Sequence, residues 1–214
     1  MIEAELKQIE RSTYRAVADS GLWDVFIAAV VSMLAFGPLL SVHLGDFWSA
    51  AAFVPVFAVI LLVIQIVKVR VIEPRIGAVE FSEPRRKRMA ALPVVMLVVN
   101  VVALVLGIVV VTSTKVPEGP IVAFGLSMVI LVGFTLASFL LQVPRVFFYG
   151  LLLAVAPLFG EALFLRGYAS HHGYPIVFGV SAVVILVSGA VRFIRFLPRS
   201  LAVNGRANTK RADD

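Results

Sequence analysis

Few ionisable or amide side chains interrupt the long apolar runs of this sequence, and those few set the chemistry open to it. Glu161 stands inside the run AVAPLFGEALFL, roughly 7 Å from its end at 1.5 Å per residue. A carboxylate inside a hydrocarbon layer is expensive, so it marks a functional site unless something neutralises it. Three routes lower that cost: protonation, a partner on another helix, or water in a cavity beside Pro157. Arg166 is a poor in-helix partner, because five residues turn the two side chains about 140° apart. Asn100, midway along another apolar run, can donate and accept between helices, a bond worth about 0.6–2 kcal/mol; a substrate contact is its second reading. His43, His171 and His172, with Asp46 and Glu118 nearby, are residue types that bind protons or metals. No pair of them has helical ligand spacing, so they are weak metal candidates and no metal site is expected. No catalytic set emerges. The chain lacks a Walker loop, a dinucleotide fingerprint and a serine elbow, and it has no cysteine nucleophile or disulfide. No cofactor is expected.

The elements that must carry these residues follow from composition. Of 214 residues, 60% are apolar and 15% charged, with mean hydropathy +1.00. Soluble domains carry about 45–50% apolar and about 25% charged residues, so an ordinary soluble enzyme and a disordered chain are both excluded. Six apolar runs have the roughly 20-residue length that a membrane helix needs: 22–44, 47–68, 89–112, 120–141, 146–165 and 174–196. The third is rich enough in valine to suggest a strand in water. In lipid a lone strand leaves its backbone unpaired, so a helix is predicted. A transmembrane barrel would alternate polar with apolar residues, and these runs do not. The fifth and sixth runs are interrupted by Pro157, Glu161 and Arg192.

Charge sets the orientation. All but two of the 19 Lys and Arg residues, Lys115 and Arg166, fall in the N-terminal segment, the 69–88 loop with its flanking Lys68, the loop at Arg145, or the C-terminal end. By the positive-inside rule both termini are cytoplasmic and the protein is a multi-pass component of the cell (plasma or inner) membrane. The net charge of +6 is then a topogenic signal facing anionic headgroups, not a nucleic-acid footprint. The first twenty residues carry both signs of charge and lack the apolar core of a signal peptide.

Three segments lie outside the spans. Residues 1–21 repeat apolar groups at helical spacing, with Glu3 and Lys7 as an i,i+4 pair and Gly21 as C-cap, predicting an amphipathic helix on the cytoplasmic surface. Within the inner loop 69–88 of the membrane domain 22–199, the strand-prone pieces VRVI and AVEF flank Pro74 and Gly77, predicting a small cytoplasmic β-hairpin. Arg75, Arg85, Arg86, Lys87 and Arg88 in that loop are candidate contacts for lipid headgroups. Residues 200–214 form a polar cytoplasmic tail. Pro-Arg recurs at 74–75, 144–145 and 198–199, where proline is expected to end each even-numbered helix.

Two stretches carry resemblances. Gly21-Leu22-Trp23-Asp24 and Pro74-Arg75-Ile76-Gly77-Ala78-Val79-Glu80-Phe81 resemble the GLWD entry and PRxGxVxF-like inner loop of uncharacterised prokaryotic multi-span membrane proteins. That resemblance implies an architecture and no activity. Glu161-Ala162-Leu163-Phe164-Leu165-Arg166-Gly167 resembles the Glu-Glu-x-x-x-Arg-Gly motif of the CAAX-type intramembrane proteases. There Glu161 and Arg166 match the first Glu and the Arg, Ala162 replaces the second Glu, and the last span has no histidine to activate water. A protease-like remnant is the remote reading.

The sequence therefore predicts an all-α integral membrane protein: six transmembrane helices in three antiparallel hairpins, with the surface helix and the small inner hairpin. It reads as a non-enzymatic scaffold or accessory subunit in contact with the lipid bilayer and with a membrane-protein partner or a second copy. The alternative is a small transporter or channel using Glu161 and Asn100, since broken helices with midplane polar groups build such sites.

Overall fold

A hydrocarbon layer offers backbone groups no water, so a chain this apolar must satisfy its N–H and C=O groups within each segment. The computed structural model describes residues 19–72, 74, 83–113 and 118–212. Every regular element among them is helical, with no strand. Helix α1 spans Leu22–Val67 and continues into a π-helical turn, Lys68–Ile72. Helices α2 (Glu83–Ser113), α3 (Glu118–Leu141) and α4 (Pro144–Leu165) follow. A 3-10 turn at His171–Gly173 leads into α5 (Tyr174–Ala212). Five segments are long and apolar enough to cross a membrane: Leu22–Gly45, Phe47–Val71, Gly119–Leu141, Pro144–Leu165 and His171–Phe196. The protein is thus an all-α integral membrane protein with several spans. The run expected at 89–112 lies in α2, whose apolar stretch is Met89–Val105.

The first two expected spans meet at one glycine. Gly45 breaks α1 with φ 75°, ψ 164°, a region essentially reserved for glycine. Gly21, the N-cap of α1, is also left-handed at φ 77°. The amphipathic helix it would end lies outside the described residues, as do Arg75 and the AVEF piece of the expected hairpin.

Three local expectations are corrected. The VRVI piece is not a strand. It falls in the π-helical turn, because β-branched side chains lose to a backbone that can keep bonding to itself at the end of an apolar helix. Pro144 does not end a helix; it opens α4 at its first turn, where a missing N–H is harmless. Helix α5 runs on through Pro198 to Ala212, so most of the polar 200–214 segment is helical.

The chain divides into two compact units. One comprises residues 1–30, 51–82 and 183–214. Its described core includes Ala28, Ile185, Ser20 and Asp24, and the Phe26 ring meets Phe57 at 5.9 Å. The other comprises 31–50 and 83–182. There α3 packs most extensively on α4, and α2 on α3. Small residues permit this approach. Ala123 and Ser127 are buried on α3, and Ser127 Oγ donates to the Ala123 carbonyl at 2.8 Å. A Cβ at Gly133 would stand 4.0 Å from the Val99 side chain of α2, and one at Gly150 of α4 would collide with the Phe134 side chain.

Candidate functional site

The site begins with α4. Its apolar sequence stays helical through the buried Pro157 and carries Gly160 and Glu161 onto the face that packs within the second unit. Glu161 is only 4% exposed. Of the three routes that lower the cost of a buried carboxylate, the structure uses a partner: His172 Nδ1 lies 2.8 Å from Glu161 Oε2. A hydrogen bond to a charged group contributes about 1.5–3 kcal/mol.

Glycines build the pocket around this bond. A Cβ at Gly119, in the first turn of α3, would overlap the Glu161 carboxylate. That bare backbone therefore lets the acid lie against a helix N-terminus, where the peptide dipoles favour negative charge. A Cβ at Gly160 would stand 2.6 Å from the His172 carbonyl oxygen and 3.1 Å from the Tyr174 ring. A Cβ at Gly173 would stand 2.5 Å from the Gly160 carbonyl oxygen. The crossing is closed to any larger residue.

The turn that delivers His172 is strained. His171, His172 and Gly173 have φ of 51°, 54° and 64°. Left-handed backbone costs about 1–2 kcal/mol for each residue bearing a Cβ. Such outliers persist where the surroundings over-determine them, and they gather at functional sites. Here the Glu161 bond and the rings hold the turn. The His172 ring stacks between Phe164 at 4.4 Å and Tyr174 at 5.8 Å. The two partners differ in access: the His172 side chain is 45% exposed and that of Glu161 only 6%.

The other sequence candidates are dispersed. His43 is exposed on α1, His171 adjoins the pair without joining it in a hydrogen bond, and no group of three metal-ligating side chains occurs among the described residues. Arg166 caps α4 and is exposed, consistent with its poor placement as a partner for Glu161. Ala162, at the second glutamate position of the protease motif, is exposed as well. Asn100 does not bridge helices. Its Nδ2 donates to the Met96 carbonyl of its own helix at 2.8 Å, and the residue is exposed. The basic cluster 85–88 occupies the start of α2, with Arg86 and Lys87 exposed. An open cleft of about 750 Å³ is lined by Ser138, Phe139, Gln142, Pro144, Phe147 and Phe148, at the opposite end of α4 from Glu161.

A second buried acid was not singled out by the sequence; only its partner Arg192 was, as a break in the sixth run. In the first unit Asp24, fully buried in the first turn of α1, lies 3.7 Å from Arg192 Nε of α5. Glycine again allows the approach, since a Cβ at Gly21 would meet the Gly189 carbonyl and one at Gly189 would stand 2.9 Å from Asp24 Cβ. Asp19 reaches the same arginine at 4.0 Å. The signal available beforehand was the rule that ionisable groups inside spans occur in pairs.

Comparison of the chain with protein-family models, with curated proteins and with solved structures finds no match.

Proposed function

We propose that this protein is a six-span component of the cell membrane, with both termini cytoplasmic, that acts as a non-enzymatic scaffold or accessory subunit by docking another membrane helix along α2. The observation that carries this reading is Asn100, exposed midway along the apolar part of α2. An amide in hydrocarbon demands partners, and one N–H bonded to Met96 leaves a second N–H and a carbonyl oxygen on the same group. A facing helix that supplies them gains about 0.6–2 kcal/mol, the scale on which membrane helices recognise each other. Leu97, Val101 and Leu104 are exposed around it and give the packing surface.

A carrier reading would need Glu161 and Asn100 along one polar path. They occupy different environments, one buried beside His172 and the other exposed on α2. The inner surface of the proposed scaffold is the basic one, with the cluster 85–88 contacting anionic headgroups; cations at a helix start oppose its dipole, so phosphate anions there relieve the conflict.

The absence of cysteine makes the test clean. Photo-crosslinkers placed on single cysteines at Leu97, Val101 and Leu104 should give one protein adduct of fixed mass in native membranes. Asn100→Leu should reduce that adduct. Lipid adducts alone, from all three positions, would overturn the reading.

A further inference from the structure

We propose that Glu161 and His172 form a proton-binding site that opens on the membrane face bearing the 166–173 turn, and that the loaded site locks this turn. It stands independently of the docking reading, which concerns α2. Three features of the geometry combine.

Access comes first. The carboxylate is buried against Gly119 and the His172 turn, while the imidazole is nearly half open. A proton from solution therefore arrives at His172. The bond to Glu161 engages Nδ1. A neutral imidazole donating from Nδ1 presents Nε2 as its acceptor. Hydronium transfers a proton to Nε2 and leaves as water. The ring becomes an imidazolium, Nδ1–H stays on Glu161, and the net charge of the pair passes from minus one to zero.

The surroundings favour that product. A buried carboxylate facing a neutral ring is an uncompensated charge, whereas the loaded pair is a compact ion pair with a charge-assisted hydrogen bond. Phe164 and Tyr174 flank the ring at distances suited to a cation on an aromatic face. The titratable neighbours are Tyr174, which is within electrostatic reach of Glu161, His171 beside the pair, and Arg166 in the turn; Glu118 precedes Gly119 in the sequence.

Strain converts binding into a mechanical effect. Three consecutive left-handed residues hold His172 in place, and the turn relaxes when the bond that restrains it weakens. The ion pair exists only with the proton bound, and a neutral Nδ1–H bond to Glu161 remains without it, so the turn is held tightly at acid pH and more loosely as pH rises.

The test uses the full chain in phosphatidylcholine vesicles, whose headgroups do not titrate between pH 5.5 and 8. The parent should melt several degrees higher at pH 5.5 than at pH 8. A cysteine at Ser170, scored against one at Tyr168, should be labelled several-fold more slowly at pH 5.5. Both differences should vanish in Glu161→Gln and His172→Gln, and should survive in His171→Gln and Glu118→Gln. A pH-independent parent overturns the proposal even if a variant fails to fold. Persistence of the pH shift in His172→Gln, or its loss in Glu118→Gln, overturns it as well.

Discussion

Adding one methyl group at Gly160 separates the packing argument from general helix propensity. Inside a helix, Gly→Ala is ordinarily stabilising by up to about 1 kcal/mol, because it restricts the unfolded chain. At Gly160 the new Cβ would lie 2.6 Å from the His172 carbonyl oxygen and 3.2 Å from Val177. The first obstacle is backbone and cannot rotate away, so the 3-10 turn must move. Overpacking costs about 1–3 kcal/mol, and displacing His172 forfeits a bond to a charged group worth about 1.5–3 kcal/mol. The propensity gain offsets only part of this, leaving Gly160→Ala about 3 kcal/mol less stable. For a chain of this size, at about 2–4 °C per kcal/mol, the melting midpoint falls by about 6–12 °C. Gly125 of α3 is the matched control, being exposed with open space for at least 4 Å around the added methyl. There the same change should raise the midpoint by about 2–4 °C. Thermal unfolding of the two variants side by side decides. Shifts of the same sign, or a Gly160→Ala midpoint within a degree of the parent, would refute the close crossing of α4 and the turn.

Three further outcomes follow from other parts of the molecule. Arg192→Ala leaves Asp24 buried without its cation and should cost about 3 kcal/mol, whereas Asp24→Asn leaves an arginine that reaches solvent and should cost about 1 kcal/mol; equal melting points for the two would contradict the ion pair. Introduced into the cysteine-free chain, Ser82→Cys should resist impermeant thiol reagents in intact cells and Glu118→Cys should react, while the reverse pattern would invert the proposed topology. Neutralising Arg85, Arg86, Lys87 and Arg88 together should lower the anionic lipid retained on purification, and unchanged lipid content with unchanged topology would mean that the cluster is merely solvated.

What was legible in the sequence was whatever depends on one segment at a time. Hydropathy located Leu22–Gly45, Phe47–Val71 and the three spans from Gly119 onward to within a few residues, because each helix must satisfy its own backbone and meet lipid with its own side chains. What depends on two segments was not. Glu161 was identifiable as a costly group, but its partner comes from a turn that places two histidines in left-handed backbone, a conformation uncommon for any residue but glycine. The glycines at 160 and 173 were visible as letters; their meaning lay in the opposing backbone. The amide of Asn100 was legible as a group able to bond between helices; the bond it makes within this chain, to Met96, depends on side-chain geometry that the sequence does not carry. The VRVI piece failed because β propensity was read with rules for water at the end of a membrane helix.

The two buried acids use the same construction with different cations, and the difference has a physical consequence. In each, glycine removes a side chain that would block a close approach: Gly21 and Gly189 let α1 and α5 meet at Asp24, Gly119 leaves room for the Glu161 carboxylate, and Gly160 lets the His172 backbone approach α4. Close backbones exclude water, and the acid left inside requires a positive partner. Arginine keeps its charge at every physiological pH, so the Asp24–Arg192 contact is a permanent fastening of α1 to α5 within the first unit. Histidine carries its charge conditionally, so the Glu161–His172 contact can be strengthened and weakened by its surroundings. Replacing Arg192 by a neutral residue therefore removes a permanent charge from beside Asp24, while His172→Arg should make the second fastening permanent and abolish its response to pH. A His172→Arg variant that folds yet still stabilises on acidification would break the link between the imidazole and the response.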